Sequence, residues 1–253
     1  VGVKEGNPVE TWTNATCVGK ISTIGEKKIC TKEVLVGYNY NTLSRPIRTG
    51  YNFIGWYREE QVDPENPGNG IAVTANNKVV DKTSHTIYAH WDRKRFTVSL
   101  DSTHNGIPAA TPGTTEVEAR YNLPLPKIEI PTREFTVSFN LNDSSSNNGT
   151  TEGTSDYSEA TAHWNFDGYY TTDLKEYINA QGYGTNPWTE LSNITLVSKW
   201  SDGRITLPGA SRPGYDFVGW YSSTGVERDN SYQYEGTTEL LAHWNPKTYV
   251  ITL

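Results

Sequence analysis

The sequence predicts a β-rich α+β protein built from small tandem modules with short helical turns. Three observations predict it. Blocks of aromatic text recur along the 253 residues. Short segments alternate β-branched or aromatic residues with polar ones, the period of a half-buried strand. Between them lie clusters of Gly, Pro, Asn, Asp and Ser, the residues of turns.

The first recurring block is Tyr51-Asn52-Phe53-Ile54-Gly55-Trp56-Tyr57. It returns as Trp164-Asn165-Phe166-Asp167-Gly168-Tyr169-Tyr170 and as Tyr215-Asp216-Phe217-Val218-Gly219-Trp220-Tyr221. Each copy is followed by a second block, "IYAHW" ending at Trp91, "LVSKW" ending at Trp200 and "LLAHW" ending at Trp244. A third block, "FTVSL" from Phe96 and "YVITL" from Tyr249, follows two of those Trp residues, and "FTVSF" from Phe135 is a further copy. Leu43 and Arg48 precede the first copy with the spacing of Leu207 and Arg212 before the last. In the middle unit "LPKIEIPTR" holds that place, but "FTVSF" then intervenes, and the third unit has no evident first strand. "AHW" ending at Trp164 is a coincidence, because Trp164 aligns with Tyr51 and Tyr215; His163 is not a repeated histidine.

These blocks read as strands, as do "EVLVGY" from Glu33, "EVEARY" from Glu116, "TIYAHW" from Thr86 and "TLVSKW" from Thr195. "YNYNTL" from Tyr38 and "DLKEYINA" from Asp173 read as single helical turns. Strict alternation puts Tyr51, Phe53, Gly55 and Tyr57 on one face, with Asn52, Ile54 and Trp56 on the other. A Gly inside a strand marks a bulge or the close approach of a ring. The expected core anchors are therefore Tyr51, Phe53, Gly55, Trp56, Trp91, Phe166, Gly168, Trp200, Tyr215, Phe217, Gly219, Trp220 and Trp244. The expected modules are 1–94, an irregular 95–203 and a truncated 204–253 that ends in the start of a following strand. Short linkers are expected near Trp91–Phe96 and Trp200–Arg204.

Composition narrows the function. Hydrophobic residues make up 35% and aromatics 12%, so each core is small and aromatic rather than one thick aliphatic one. The net charge of -7 lacks the basic face that sequence-independent nucleic-acid binding needs. No apolar stretch is long enough to span a bilayer. The chain contains no Met and opens without a signal peptide, and it reads as a piece of a longer, processed protein.

At the recurring blocks the chain resembles the Listeria–Bacteroides repeat family, which includes the internalin B-repeat. The likeness is carried by "LSRPIRTGYNFIGWY" and "TIYAHW" within 36–91, and by "LPGASRPGYDFVGWY" and "LLAHW" within 205–244. It implies β-grasp modules, ubiquitin- or SUMO-like, occurring in tandem in secreted or wall-attached bacterial proteins, often adhesins.

Chemistry is sparse in the text. His90, Lys199 and His243 occupy one repeat position, which reads as a solvated strand face rather than a general base. No hydrolase, phosphate-loop or zinc-protease motif occurs, and no cofactor or metal site is expected. "NDSSSNNG" from Asn142 and "DPENPGNG" from Asp63 read as surface turns before calcium loops. Trp12 and Trp188 lie outside the repeats and are the candidates for contact with a ligand. Sequons stand at Asn14, Asn142, Asn148 and Asn193. Cys17 and Cys30 can be a disulfide, two thiols or half of a metal site. Strands placed near Ala15–Gly19 and Glu33–Tyr38 bring them within disulfide reach, which fits an extracytoplasmic location. The expectation is a non-enzymatic segment on the bacterial surface or attached to the wall. It acts as an adhesin stalk or spacer, or else binds a host protein or glycan; its nearest partners are neighbouring repeats of the same chain.

Overall fold

The computed structural model describes residues 17–24, 27–142 and 152–253. These are strands and turns, with no helix among the described residues. The strands are β1 Lys20–Ile24, β2 Lys27–Thr31, β3 Tyr51–Tyr57, β4 Ala72–Val73, β5 Tyr88–Arg93, β6 Arg95–Asp101, β7 Glu116–Arg120 and β8 Arg133–Asn140. They continue as β9 Thr154–Ser155, β10 Glu159–Tyr170, β11 Glu176–Asn179, β12 Ile194–Asp202, β13 Ala210–Ser211, β14 Tyr215–Tyr221, β15 Glu227–Arg228 and β16 Thr238–Pro246.

The expected α+β fold of β-grasp modules with helical turns is thereby corrected to all-β. At 38–43 the backbone N–H groups turn outward to a neighbouring segment: Tyr40 donates to Asn77 and Asn41 to Ala75, with Asn41 at φ +56°. Such donors are lost to an i−4 helical ladder. At 173–180 Leu174 sits at φ +70° and Glu176–Asn179 becomes a strand on β10, burying Tyr177 and Ile178 completely. "EVLVGY" is corrected too. Residues 33–36 form no strand, and Leu35, Val36 and Tyr38 are exposed.

The chain divides into two compact units: 1–97 with 118–124 and 187–193, and 98–117 with 125–186 and 194–253. The first contains the β1–β2 hairpin and a three-stranded sheet in the order β4-β3-β5. Its core gathers Cys17, Tyr40, Tyr51, Trp56, Val73, Val79, Ala89 and Trp91. The main sheet of the chain is mixed, in the order β15-β14-β16-β8-β10-β12-β6-β7, with β11 on β10. Trp91–Phe96 lies within β5 and β6, with only Lys94 between them, and Trp200–Asp202 lies within β12.

The order of this sheet accounts for the irregular middle unit. β12, the last strand of repeat 2, pairs antiparallel with the anchor strand β10 and parallel with β6. β16, the last strand of repeat 3, pairs antiparallel with β14 and parallel with β8. The "FTVSF" strand inside the middle unit is therefore the first strand of repeat 3. β10 serves both repeats. Its first half, Glu159–Trp164, pairs with β8 of repeat 3, and its second half, Trp164–Tyr170, is the anchor of repeat 2. Repeats 2 and 3 are interleaved along the chain and share one long strand.

The Gly of each anchor sits beside a β-bulge. The register slips between Phe53 and Gly55, between Phe166 and Gly168, and between Phe217 and Gly219. One extra residue on the bulged strand resets the alternation. This overturns the face assignment expected from strict period two. Trp56 joins Tyr51 in the buried set, while Ile54 is exposed. The three glycines are not equivalent. Gly168 lies at φ +126°, and a Cβ there would stand 2.4 Å from the Ile178 carbonyl oxygen; at Gly55 the nearest atom is the Tyr57 ring at 3.4 Å. Gly168→Ala is expected to lower stability by roughly 2–3 kcal/mol and Gly55→Ala by less than about 1 kcal/mol, read as urea midpoints.

Candidate functional site

The repeated side chains converge on one arrangement, built three times. In repeat 1 Phe53 lies edge-on to Trp56 at 5.6 Å and to Trp91 at 5.5 Å. In repeat 3 Phe217 meets Trp220 at 5.5 Å and Trp244 at 5.2 Å, and in repeat 2 Phe166 meets Tyr169 at 5.1 Å and Trp200 at 5.6 Å. Edge-to-face contacts at these separations add to the burial of the rings. The indole of Trp56 donates to the Ser44 carbonyl at 2.7 Å and that of Trp220 to the Pro208 carbonyl at 2.8 Å.

Arg48, Arg133 and Arg212 cover the same place in each repeat. Arg48 stands 3.9 Å over Tyr51 and 5.9 Å over Trp91, Arg212 stands 4.2 Å over Tyr215, and Arg133 stands 5.3 Å over Trp200. Arg133 is fully buried; burial lowers its pKa from the usual guanidinium range, opposed by Glu235. In repeats 1 and 3 the Arg opens a turn, with Tyr51 N–H donating to Arg48 and Tyr215 N–H to Arg212, both 3.1 Å. Gly50 and Gly214 supply the positive φ that the turn needs. Their carbonyls accept from Lys94 and Lys247, and in repeat 2 the His163 carbonyl accepts from Gly203 in the same way. His163 thus occupies the pre-anchor glycine position, which agrees with its exclusion from the repeated histidines.

The repeated His/Lys position is buried rather than solvated in repeat 1 and half-buried in repeats 2 and 3. His90 is 1% exposed and stacks on Tyr57 at 3.9 Å. Its Nδ1 lies 2.7 Å from the Pro67 carbonyl and its Nε2 2.8 Å from the Glu59 carbonyl. His243 stacks on Tyr221 at 3.9 Å, and the Lys199 ammonium stands 4.1 Å over Tyr170. The position selects a cation or imidazole to lie flat on the Tyr that closes the anchor. The signal was present in the text: a Tyr always ends the first block, and its partner is always His or Lys.

Cys17 and Cys30 form a disulfide, with Cα atoms 5.8 Å apart. The strands that flank it differ from expectation: Cys17 precedes β1, and Cys30 lies within β2. Ser44 binds this loop to repeat 1. Its hydroxyl accepts from Val18 N–H at 2.9 Å and lies 3.2 Å from Cys30 Sγ, while its carbonyl takes the Trp56 indole. Trp188 is fully buried, which leaves no ring face for a ligand; its backbone bonds Leu123 and Asn122. Trp12, Asn14, Asn148 and most of the "NDSSSNNG" loop lie outside the described residues. "DPENPGNG" forms turns that supply Pro67 to His90 and Glu65 to Arg120.

Burial leaves one further mark on the second unit. It pushes the Tyr234 phenol up to about 12, and it pushes Tyr169 higher still with help from Asp101. Both folded values exceed the unfolded value near 10, so the stability tied to them is complete below about pH 10 and is lost as pH rises through the folded values. Urea midpoints are expected to fall between about pH 10 and 12, and Tyr234→Phe is expected to flatten that fall.

The sequence pattern of the Listeria-Bacteroides repeat domain matches residues 22–90 and 179–243, together just over half of the chain. The chain belongs to the Listeria-Bacteroides repeat family. No curated protein and no solved structure matches it. Listeria-Bacteroides repeats occur in bacterial surface proteins. The second match begins at 179, yet the first strand paired to β16 is β8, at 133–140 and outside the matched stretch.

Proposed function

We propose that this segment is a non-enzymatic, load-bearing spacer of an extracellular bacterial surface protein. One observation carries the reading. β6 runs parallel to β12 and β8 to β16, while β10 is antiparallel to both β8 and β12. β6, β12, β8 and β16 therefore all point the same way. The chain enters this sheet at the start of β6 and leaves it at the end of β16, at opposite ends of the strands. Tension along the chain then loads the hydrogen-bond rows along the strands, so that many bonds must break together. Loading across a row breaks them one at a time.

The Cys17–Cys30 disulfide supports an oxidising, extracytoplasmic setting. The repeated His, Lys and Arg side chains serve ring packing, which supports a structural reading of them. Single-molecule pulling tests the proposal. Handles at the ends of the chain are expected to rupture the second unit at a clearly higher force than handles at Tyr215 and Pro246, which face each other at one end of β14–β16 and unzip it. Equal forces would overturn the load-bearing reading.

A further inference from the structure

The His90 ring has a carbonyl oxygen within hydrogen-bond range of each of its nitrogens, Pro67 at 2.7 Å from Nδ1 and Glu59 at 2.8 Å from Nε2. A neutral imidazole carries one N–H and one lone pair. In either neutral tautomer one of the two carbonyls therefore faces a lone pair. Only the doubly protonated ring donates to both. Water offers no substitute partner, because the ring is 1% exposed. Its plane is fixed by the stack on Tyr57, with the rings 14° from parallel.

Repeat 2 gives an independent reason to expect a cation here. Lys199 holds the same repeat position, with its ammonium over the Tyr170 face. The negative face of a Tyr ring attracts positive charge. The charged groups on the segments around His90 act in the same direction. Glu59 and Glu60 follow β3, Asp63 and Glu65 lie in the turns, and Asp92 is on β5. The guanidiniums among them are Arg58, 3.1 Å from Asp81, and Arg93, 3.9 Å from Glu65. The carboxylates are in surplus, and a nearby opposite charge favours the protonated ring.

We propose that His90 is held as an imidazolium and that this charge makes it a pH-sensitive clamp on residues 59–70. Glu59 and Pro67 lie toward the two ends of this segment, so one ring fastens both ends to β5. Gln61 and Glu65 fasten it between them. The Gln61 side-chain amide exchanges hydrogen bonds of 2.8 and 2.9 Å with the Trp91 backbone, and Glu65 pairs with Arg120. Loss of the second proton turns one N–H of His90 into a lone pair aimed at a carbonyl, which releases one end of the segment. The stability carried by the clamp is complete at low pH and is lost as the ring gives up that proton at higher pH. Acid tightens the segment and alkali loosens it. The clamp does not rest on the spacer reading.

The native chain tests this without substitution. Nitrogen-15 spectra of its histidine side chains report which ring nitrogens carry protons, and hydrogen exchange reports how well the 59–70 amides are protected. Both are read in a pH series from about 6 to about 9, across and above the ordinary imidazole range. At neutral pH both nitrogens of His90 are expected to carry protons. Protection factors for 59–70 are expected to fall by roughly ten- to a hundredfold as the ring deprotonates, the loss of one hydrogen bond from a charged donor. The two changes are expected to share a midpoint, while protection in β3 and β5 changes less. A neutral His90 ring at neutral pH with 59–70 still protected would overturn the proposal. So would deprotonation that leaves the protection of 59–70 unchanged, or a fall in protection at a pH where the ring does not titrate.

Discussion

Trp220→Ala is expected to unfold the second unit or bring it to the edge of unfolding. The ring is 2% exposed and meets Phe217 at 5.5 Å and Phe139, on β8, at 4.9 Å. Truncating a buried Trp costs about 3–5 kcal/mol through lost burial and the cavity left behind. The Pro208 carbonyl, which accepts the indole N–H at 2.8 Å, loses its partner and adds roughly 1–3 kcal/mol. Against a total stability of about 5–15 kcal/mol, little remains. Urea unfolding followed by near-UV circular dichroism checks the outcome; a loss below about 1 kcal/mol would place Trp220 outside the core. A milder double-mutant cycle, Trp220→Leu with Phe139→Leu, which removes both rings without emptying the site, is expected to show a coupling of about 0.5–1.5 kcal/mol. That coupling joins the first strand of repeat 3 to its anchor across 81 residues of sequence.

The second large effect belongs to the disulfide. Replacing Cys17 and Cys30 together by Ser is expected to cost the first unit roughly 3 kcal/mol, the chain-entropy value for a closed loop of this size. The separation is 13 residues. Cys17 is buried in the core of repeat 1, and Ser44 joins the loop to Trp56, so the loss is expected to extend beyond the hairpin to β3. Thermal melts of the double variant and of the reduced native chain are expected to agree. A second unit whose transition stays unchanged would confirm that the effect is confined to the first; an unchanged first transition would contradict the account.

Much of this architecture is legible in the sequence because it is local. The period-two patterns of Phe96–Leu100 and Phe135–Phe139 mark β6 and β8, and the Gly between Phe53 and Trp56 marks a bulge. The bulge's consequence is harder to read. One inserted residue moves Trp56 to the face of Tyr51, and period-two reasoning has no means of counting it. The helical turns fail for a related reason. "YNYNTL" and "DLKEYINA" lack strong strand patterning, but their N–H groups find partners across 75–79 and β10, and only tertiary contacts reveal that. The stacking of His90 on Tyr57 is readable as paired text, whereas the burial of His90 depends on the Asp63–Gly70 turns folding over it. Least legible is the interleaving. Two of the sheet's pairings are parallel and join segments about a hundred residues apart, and no spacing within a single repeat points to them.

The interleaving is tested most directly by one engineered cross-link. Ser138 on β8 and Glu239 on β16 are Cα partners in the parallel pair, and neither side chain is buried. In the Ser138→Cys, Glu239→Cys variant, a disulfide is expected to form under mild oxidation in the folded protein and to raise its thermal midpoint. The control variant Thr136→Cys, Glu239→Cys, two residues out of register, is expected to keep its thiols free. Free thiols at 138 and 239, or equal cross-linking in both variants, would contradict the assignment of β8 to repeat 3.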